Sequence, residues 1–215
     1  MPHPSNAELL VLLSLRLKSF APTAVVAQHA GLPEDEVAAL LDQFAAAGWA
    51  RYREGNVTGW SLLPAGRTRG EALLAAELDR IGARDHVTSV YQRFLALNPE
   101  LLRICTDWQV RTDIDVQTLN DHSDSTYDAQ VIARLEALHE AVLPLTNELA
   151  AELERFAGYA PRFSAALDRV KNGDGDWFTR PMIDSYHTVW FELHENLLAT
   201  LGIERASEQR PERSA

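Results

Sequence analysis

The stretch that decides the fold of this 215-residue chain is TAVVAQHAGLPEDEV, residues 23–37. Thr23 can cap a short helix that runs to Ala30, and Pro33 is well placed to open a further helix that reaches about residue 47. Gly31 lies between them and can adopt the left-handed conformation of a tight turn. The stretch therefore predicts a helix-turn-helix.

The spacing of small and branched residues in this stretch supports that interpretation. Ala27 lies four residues before Gly31, and Val37 lies six residues after it. The alanine has to be small because the later helix passes over it, and the valine fixes the crossing of the two helices. Few unrelated sequences meet all of these requirements at once.

The flanking segments predict a helix on one side and a β-hairpin on the other. Residues 6–20 carry leucines at three- and four-residue spacing, which indicates a preceding helix. After Gly48 the pattern alternates over residues 49–53, turns at Gly55 and Asn56, and continues over residues 57–63. This predicts a two-stranded wing, and the next helix should reach about residue 80.

Residues 6–80 as a whole resemble the winged helix-turn-helix of MarR-type transcriptional regulators. In that family a wing strand commonly ends in a Leu-Thr-Pro-Ala-Gly-Arg-like segment, and the corresponding segment here is LLPAGR, residues 62–67, with Leu63 in place of the threonine. The resemblance implies a regulator that binds double-stranded DNA as a homodimer. The remaining residues resemble such regulators only in being helical.

Composition fits a globular cytoplasmic protein of one large or two small domains. The apolar run that begins at Leu9 ends at Arg16, too soon for a signal peptide or a membrane span. The single cysteine, Cys105, excludes an internal disulfide and is expected to be a small buried hydrophobic residue. The chain contains no Gly-rich phosphate loop, nucleophile elbow or His-Glu-x-x-His motif, so neither an enzyme nor a cofactor is predicted.

The charge distribution restricts where DNA could bind. The net charge is −11, which repels nucleic acid overall, but residues 1–80 hold seven Lys and Arg against nine Asp and Glu. The third helix carries Glu34, Asp35, Glu36 and Asp42 and no basic residue, whereas the wing and its base are rich in arginine. The predicted DNA contacts are Thr23, Gln28, Arg51, Arg53, Arg67 and Arg69. The alternative is a sensing or protein-interaction module that has kept the winged fold, lost DNA binding, and meets a basic partner through its acidic helix.

The rest of the chain is predicted to be a helical sensing and dimerisation domain, residues 81–203, followed by a disordered tail, residues 204–215. Helices are expected at about 83–97, 99–106, 123–157, 162–170 and 181–201, so the fold class is mainly α with a small hairpin wing. In the longest helix an apolar stripe runs from Val131 to Phe156, and Pro144 should bend it. We expect this stripe to pack between subunits or across the domain junction.

Two polar and aromatic segments of this region could face each other and form a ligand pocket. The candidate ligand-binding residues are Trp108, Arg111, His122, Tyr127, Trp177, Arg180, His187, Trp190 and His194. Arg111 and Arg180 are natural partners for an acidic group on a small aromatic or acidic ligand, although each could instead close an internal salt bridge. A core with buried aromatic residues explains the same segments equally well.

Two histidines of the last predicted helix, His187 and His194, are expected to point inward. They lie about 10.5 Å apart along the helix axis at roughly 1.5 Å per residue, which is too far to share one metal ion. Asp184 and His187 could share one only if His122 or Asp124 arrived from elsewhere, so no metal site is predicted.

Overall fold

The computed structural model describes residues 1–113 and 116–205, and these residues are mostly helical. The helices are α1 (Ala7–Lys18), α2 (Thr23–Ala30), α3 (Glu34–Ala46), α4 (Pro64–Ile81), α5 (Arg84–Gln109), α6 (Ser125–Glu152), α7 (Tyr159–Lys171), α8 (Asp176–Thr179) and α9 (Tyr186–Leu201). The strands are β1 (Phe20–Ala21), β2 (Ala50–Arg53), β3 (Gly59–Leu62), β4 (Val110–Asp113) and β5 (Val116–Leu119). None of these helices combines the length and the apolar character needed to cross a membrane.

The chain packs into two compact units. The N-terminal unit consists of residues 3–85 together with 194–215, and the helical unit consists of residues 86–193 with the first two residues. The second half of α9 therefore belongs to the N-terminal unit, whereas the sequence suggested a single division near residue 80. The predicted tail, residues 204–215, lies outside the described residues apart from Glu204 and Arg205.

The N-terminal unit is organised around α1, α2 and α3 with a three-stranded antiparallel sheet. Asn6 caps α1 by accepting a hydrogen bond from the Leu9 amide at 2.8 Å. The sheet has the order β1-β3-β2, so that the short strand after α1 pairs with the second strand of the hairpin. The core between the helices and the sheet includes Val11, Leu15, Val26 and Leu41, all fully buried. The predicted helices and hairpin of this region are present.

The turn between α2 and α3 depends on Gly31. Its φ of 68° lies in the left-handed region, and Leu32 donates a backbone hydrogen bond to the Ala27 carbonyl at 3.2 Å, which closes the end of α2. Ala27 and Val37 are both buried. The left-handed conformation predicted for this glycine is confirmed.

A second glycine, Gly66, permits a close backbone approach at the start of α4. The Trp49 carbonyl accepts a hydrogen bond from the Leu63 amide at 2.8 Å, which ties the end of the hairpin to its beginning. A Cβ atom on Gly66 would lie 2.2 Å from that same carbonyl oxygen, well inside the contact distance. On the next turn of α4 a Cβ on Gly70 would meet only the Leu12 Cβ, at an ordinary 3.5 Å.

The prediction of two helices separated at Pro99 is wrong, because the helical unit has one continuous helix, α5, in this place. One helix runs from Arg84 to Gln109 with Pro99 inside it. Phe94 and Leu101, on either side of the proline, are both buried, so continuous packing of this face outweighs the backbone hydrogen bond that the proline removes. The hairpin of β4 and β5, which follows α5, was not predicted.

The apolar stripe of α6 is covered within a single chain. Its members Val131, Leu135, Leu138, Val142, Leu145, Leu149, Leu153 and Phe156 are all buried. Helix α6 ends at Glu152, and Phe156 lies in a short 3₁₀ turn rather than in the same helix. Helix α7 packs against α6, and Pro144 lies inside α6. Of the two expectations for this stripe, packing between subunits is therefore wrong, and a dimer would need another surface.

Two buried residues of the helical unit, His139 and Tyr186, form a polar contact with the half-buried Ser164. His139 on α6 lies with its Nδ1 3.3 Å from the Tyr186 hydroxyl and its Nε2 3.5 Å from the Ser164 hydroxyl. Burial lowers the pKa of His139, and it raises the pKa of Tyr186. Cys105 is also buried, which raises the pKa of its thiol to about 12 and confirms its predicted role as a small hydrophobic residue.

We predict that Gly66→Ala destabilises the protein whereas Gly70→Ala does not. The added methyl group at position 66 would overlap the Trp49 carbonyl, and overpacking of this kind costs about 1–3 kcal/mol. At position 70 the methyl group has room, and replacing glycine within a helix contributes up to about 1 kcal/mol of stability. Urea unfolding followed by circular dichroism measures both, and equal midpoints for the two variants would contradict the contact.

We also predict that acid weakens the fold partly through His139. Its pKa is lower in the folded chain than in the unfolded chain, so its contribution to stability is present above about pH 6.5 and is lost as the pH falls through the folded value. His139→Gln should therefore reduce the drop in melting temperature between pH 7.5 and pH 5. His86→Gln, at an exposed position of the same unit, is the control and should leave that drop unchanged.

Candidate functional site

Two exposed arginines lie on the first strand of the N-terminal hairpin. Arg51 and Arg53 alternate along β2 and share one face of the strand, while Tyr52 between them packs at a tilt against Trp60, with ring centroids 5.0 Å apart. Among the described residues, neither arginine forms an ion pair. Both guanidinium groups are therefore available to an anionic partner without breaking a contact within the chain.

The two arginines at the base of the hairpin are placed differently. Arg67 forms an ion pair with Glu71 at 3.2 Å, one turn along α4. Arg69 forms a two-pronged pair with Glu8 at 2.7 and 3.2 Å, and its guanidinium lies over the Trp49 ring. The hydrogen bonds that Arg69 donates to the Glu8 carboxylate raise the pKa of Arg69. A phosphate at either position would have to displace an existing carboxylate.

The two remaining predicted DNA contacts lie on α2. The half-buried Thr23 accepts a hydrogen bond from the Trp60 indole N–H at 3.1 Å, so this hydroxyl joins the start of α2 to the hairpin. Gln28 is exposed near the end of α2. Thr23 thus positions the hairpin relative to the helix, and only Gln28 has a side chain directed fully to solvent.

Helix α3 presents an acidic outer surface. Its buried face consists of Val37, Leu41 and Phe44. The first turn exposes Glu34, Asp35 and Glu36, and Asp42 is also exposed. These carboxylates complement the helix dipole at the N-terminus, which accounts for their position without any ligand.

The helical unit contains a cleft of about 690 Å³. One wall comes from the end of α5 and the β4–β5 hairpin, including Trp108 and Leu119, and the other comes from the segment around α8, including Asp174 and Arg180. Gln109 donates a hydrogen bond to the Thr179 hydroxyl across the two walls at 3.0 Å. The two polar segments that were expected to face each other therefore contribute to one cleft.

His122 lines this cleft in a tightly defined environment. Its Nδ1 lies 3.0 Å from the Asp128 carboxylate, and its ring packs on Trp108 with centroids 4.4 Å apart. Trp108 stacks on Phe178 with its other face, again at 4.4 Å and nearly parallel. The buried Asn120 amide donates to the Trp108 carbonyl at 3.1 Å and to Asp128 at 2.9 Å.

Both candidate anion-binding arginines already have carboxylate partners. Arg111 pairs with Asp124 at 3.2 Å and lies 4.6 Å from the centre of the Tyr127 ring, and the Tyr127 hydroxyl donates to the Asp107 carbonyl at 3.0 Å. Arg180 pairs with Asp176 on α8. Each arginine therefore closes an internal salt bridge, the alternative that the sequence left open.

Six of the nine candidate ligand residues are not among the described residues that line the cleft, namely Arg111, Tyr127, Trp177, His187, Trp190 and His194. Trp177 is half-buried beside the Arg169 guanidinium, and the half-buried His187 has a pKa lowered by burial. Trp190 packs on Phe94 and donates to the Asn98 side chain at 3.1 Å, as a core residue does. His194 is buried in the N-terminal unit.

One further expectation for this region meets a different contact in the structure. Asp184, considered as a metal ligand with His187, instead forms an ion pair with Arg162 at 2.9 Å. In residues 1–113 and 116–205, no group of three or more His, Cys, Asp or Glu side chains is arranged to hold a metal ion.

Sequence reasoning did not find several residues that define the cleft. Asp128, which holds His122, lies six residues further along the chain on α6, and Leu119 belongs to the unpredicted hairpin. Asp174 was not among the candidate residues. The dense run of Asn, Asp, His and Ser over residues 120–124 is the local signal next to His122, but it does not indicate the contact of His122 with Asp128.

Comparison with known proteins adds no assignment, because no protein-family model, no curated protein and no solved structure matches this chain.

Proposed function

We propose that the N-terminal unit is a winged helix-turn-helix of the MarR type and that the protein is a cytoplasmic, ligand-responsive transcriptional regulator that binds double-stranded DNA as a homodimer. The observation that carries the proposal is the element order α1-β1-α2-α3-β2-β3-α4 with the sheet order β1-β3-β2, since this is the arrangement of a winged domain. Arg51 and Arg53, which form no ion pair in the part of the chain that the structure describes, lie on the hairpin that would be the wing.

The physical basis of DNA binding is local charge. A chain of net charge −11 is repelled by DNA as a whole, so binding needs a patch at which positive charge is concentrated. Arg51 and Arg53 supply it, and in winged domains the hairpin touches the phosphate backbone or the minor groove. The other four predicted contacts are proposed as secondary contacts. Three of them, Arg67, Arg69 and Thr23, already have partners within the chain, and the fourth is Gln28.

Under this proposal helix α3 would act as the recognition helix. Its carboxylates would limit the affinity that this helix contributes to DNA binding. Carboxylates at base edges can accept hydrogen bonds from cytosine amino groups, but they repel the neighbouring phosphates. We therefore expect affinity to come mainly from the wing. A ligand in the cleft of the helical unit would regulate binding only by favouring one arrangement of the dimer over another.

The direct test is retention of fragmented genomic DNA by the purified protein at two salt concentrations, with sequencing of the retained fragments. Discrete sites with palindromic half-sites about one helical turn apart would support a dimeric regulator. Retention of no fragment at the lower salt concentration would overturn the proposal.

We predict that Arg51→Ala combined with Arg53→Ala weakens DNA binding and makes it less dependent on salt. Each arginine that contacts a phosphate contributes roughly one unit to the slope of log affinity against log salt, so the double variant should lose about two units per subunit. Arg103→Ala, at an exposed position of the helical unit, is the charge-matched control for a single substitution and should leave the slope unchanged. Fluorescence anisotropy with a retained fragment measures all three proteins.

The second candidate function is a protein-interaction module that has kept the winged fold, and the acidic outer surface of α3 favours it. Replacing Glu34, Asp35 and Glu36 by Gln, Asn and Gln discriminates between the two. If α3 faces DNA, removing three negative charges should tighten DNA binding and raise the association rate constant. If α3 instead binds a basic protein, the variant should lose capture of that protein while its DNA binding stays as weak as before.

A further inference from the structure

The cleft of the helical unit has the volume of a small-molecule site. Its volume of about 690 Å³ falls within the range of known ligand pockets, roughly 300–1,000 Å³. Leu119, on the hairpin wall, is 84% exposed, which is unusual for a leucine that lines a cleft. An apolar ligand body lying in the cleft would cover this side chain.

The hydrogen bonds around His122 determine which of its ring nitrogens carries the proton. Asn120 has two amide hydrogens, and both are used, one by the Trp108 carbonyl and one by Asp128 Oδ1. Asn120 therefore has no hydrogen left for His122 Nδ1, 3.2 Å away, so Nδ1 donates its own proton to Asp128 Oδ2 at 3.0 Å. In the neutral ring Nε2 is then an acceptor, and among the described residues it has no hydrogen-bond partner.

The chain holds this imidazole in place at a conformational cost. His122 has a φ of 59°, in the left-handed region that non-glycine residues rarely occupy. Its amide donates to the Asn120 side chain at 3.2 Å, and its ring is fixed between Asp128 and Trp108. Strain of this kind, held by several contacts, is typical of functional sites. The side chain is still 41% exposed, so the acceptor is accessible.

The charges of the cleft favour a cation over an anion. Arg180 is paired with Asp176, and Arg111 next to the cleft is paired with Asp124, so neither guanidinium is left without a carboxylate. Asp174 lines the cleft, is exposed, and forms no ion pair among the described residues. The uncompensated charge is therefore negative, and it acts in a chain whose net charge is −11.

We propose that this cleft binds an amine with an apolar body. In this proposal His122 Nε2 accepts a hydrogen bond from the ligand, and the Asp174 carboxylate stabilises the positive charge of the ligand's amine. This deepens the ligand-responsive part of the proposed function and rests on it. It also replaces the acidic ligand that the sequence suggested. Trp108 already packs against His122 and stacks on Phe178, so we assign it to the support of the site and not to stacking on the ligand.

The first measurement is the protonation of His122, by a long-range proton–nitrogen NMR spectrum of the full chain labelled with ¹⁵N-histidine at pH 8. The His122 signals are identified by their loss in His122→Gln. We expect His122 to show a protonated Nδ1 and an unprotonated Nε2, the less common form in free histidine. Asp128→Asn should shift His122 toward the Nε2-protonated form, because the acceptor that selects Nδ1–H is weakened. A wild-type His122 protonated at Nε2 would overturn the proposal.

The second measurement titrates three probes with the same ring into the labelled protein, namely 2-phenylethylamine, 2-phenylethanol and phenylacetate. We expect saturable shifts of the His122 signals with affinity in that order, and Asp174→Asn should weaken the amine about three- to tenfold while leaving the alcohol unchanged. Absence of saturable shifts with any probe up to about 20 mM, or tighter binding of phenylacetate, would overturn the proposal. Neither measurement uses DNA, so failure of the amine-binding proposal is distinguishable from failure of the DNA-binding proposal.

Discussion

The hydrogen bond from the Leu63 amide to the Trp49 carbonyl is the contact on which the N-terminal unit depends. It closes the hairpin at its base, directly where α3 ends and α4 begins, and Gly66 has to lack a side chain for the two backbones to come this close. Once the base is closed, the antiparallel register of β2 and β3 follows, with Arg51 opposite Ser61. That register turns Tyr52 toward Trp60 and leaves the two flanking arginines on the outer face.

The parts of the fold that could be predicted are those whose signals lie close together in the sequence. Gly31 with Ala27 and Val37 specifies a turn and a crossing within eleven residues, and the hairpin is specified by alternation around one turn. Both features appear in the structure. The local pattern also indicated exposed basic residues on the hairpin, and Arg51 and Arg53 are indeed exposed.

The parts that could not be predicted depend on contacts between distant residues. The pairing of Arg69 with Glu8 joins positions 61 residues apart, and no local pattern indicates it. Pro99 is a strong local signal for a break, yet packing on both sides keeps α5 continuous. The α6 stripe looked like an interface because sequence shows that a face is apolar but not which part of the chain covers it. The contact of His122 with Asp128 was missed for a similar reason, since it depends on a left-handed residue and on the start of α6.

Most of the described arginines of this acidic chain pair with carboxylates in both units, whereas Arg51 and Arg53 on β2 do not. In the helical unit Arg93 pairs with Glu148, Arg134 with Glu100 and Asp107, and Arg162 with Asp184 and Glu192. These pairs neutralise the cations locally, so they stabilise contacts between helices and contribute little to the field outside. Among the described residues, Arg51 and Arg53 form no ion pair, so their charge remains available at short range even though the net charge is negative at long range. Two arginines on one strand therefore produce a local field that is opposite in sign to the net charge of the chain.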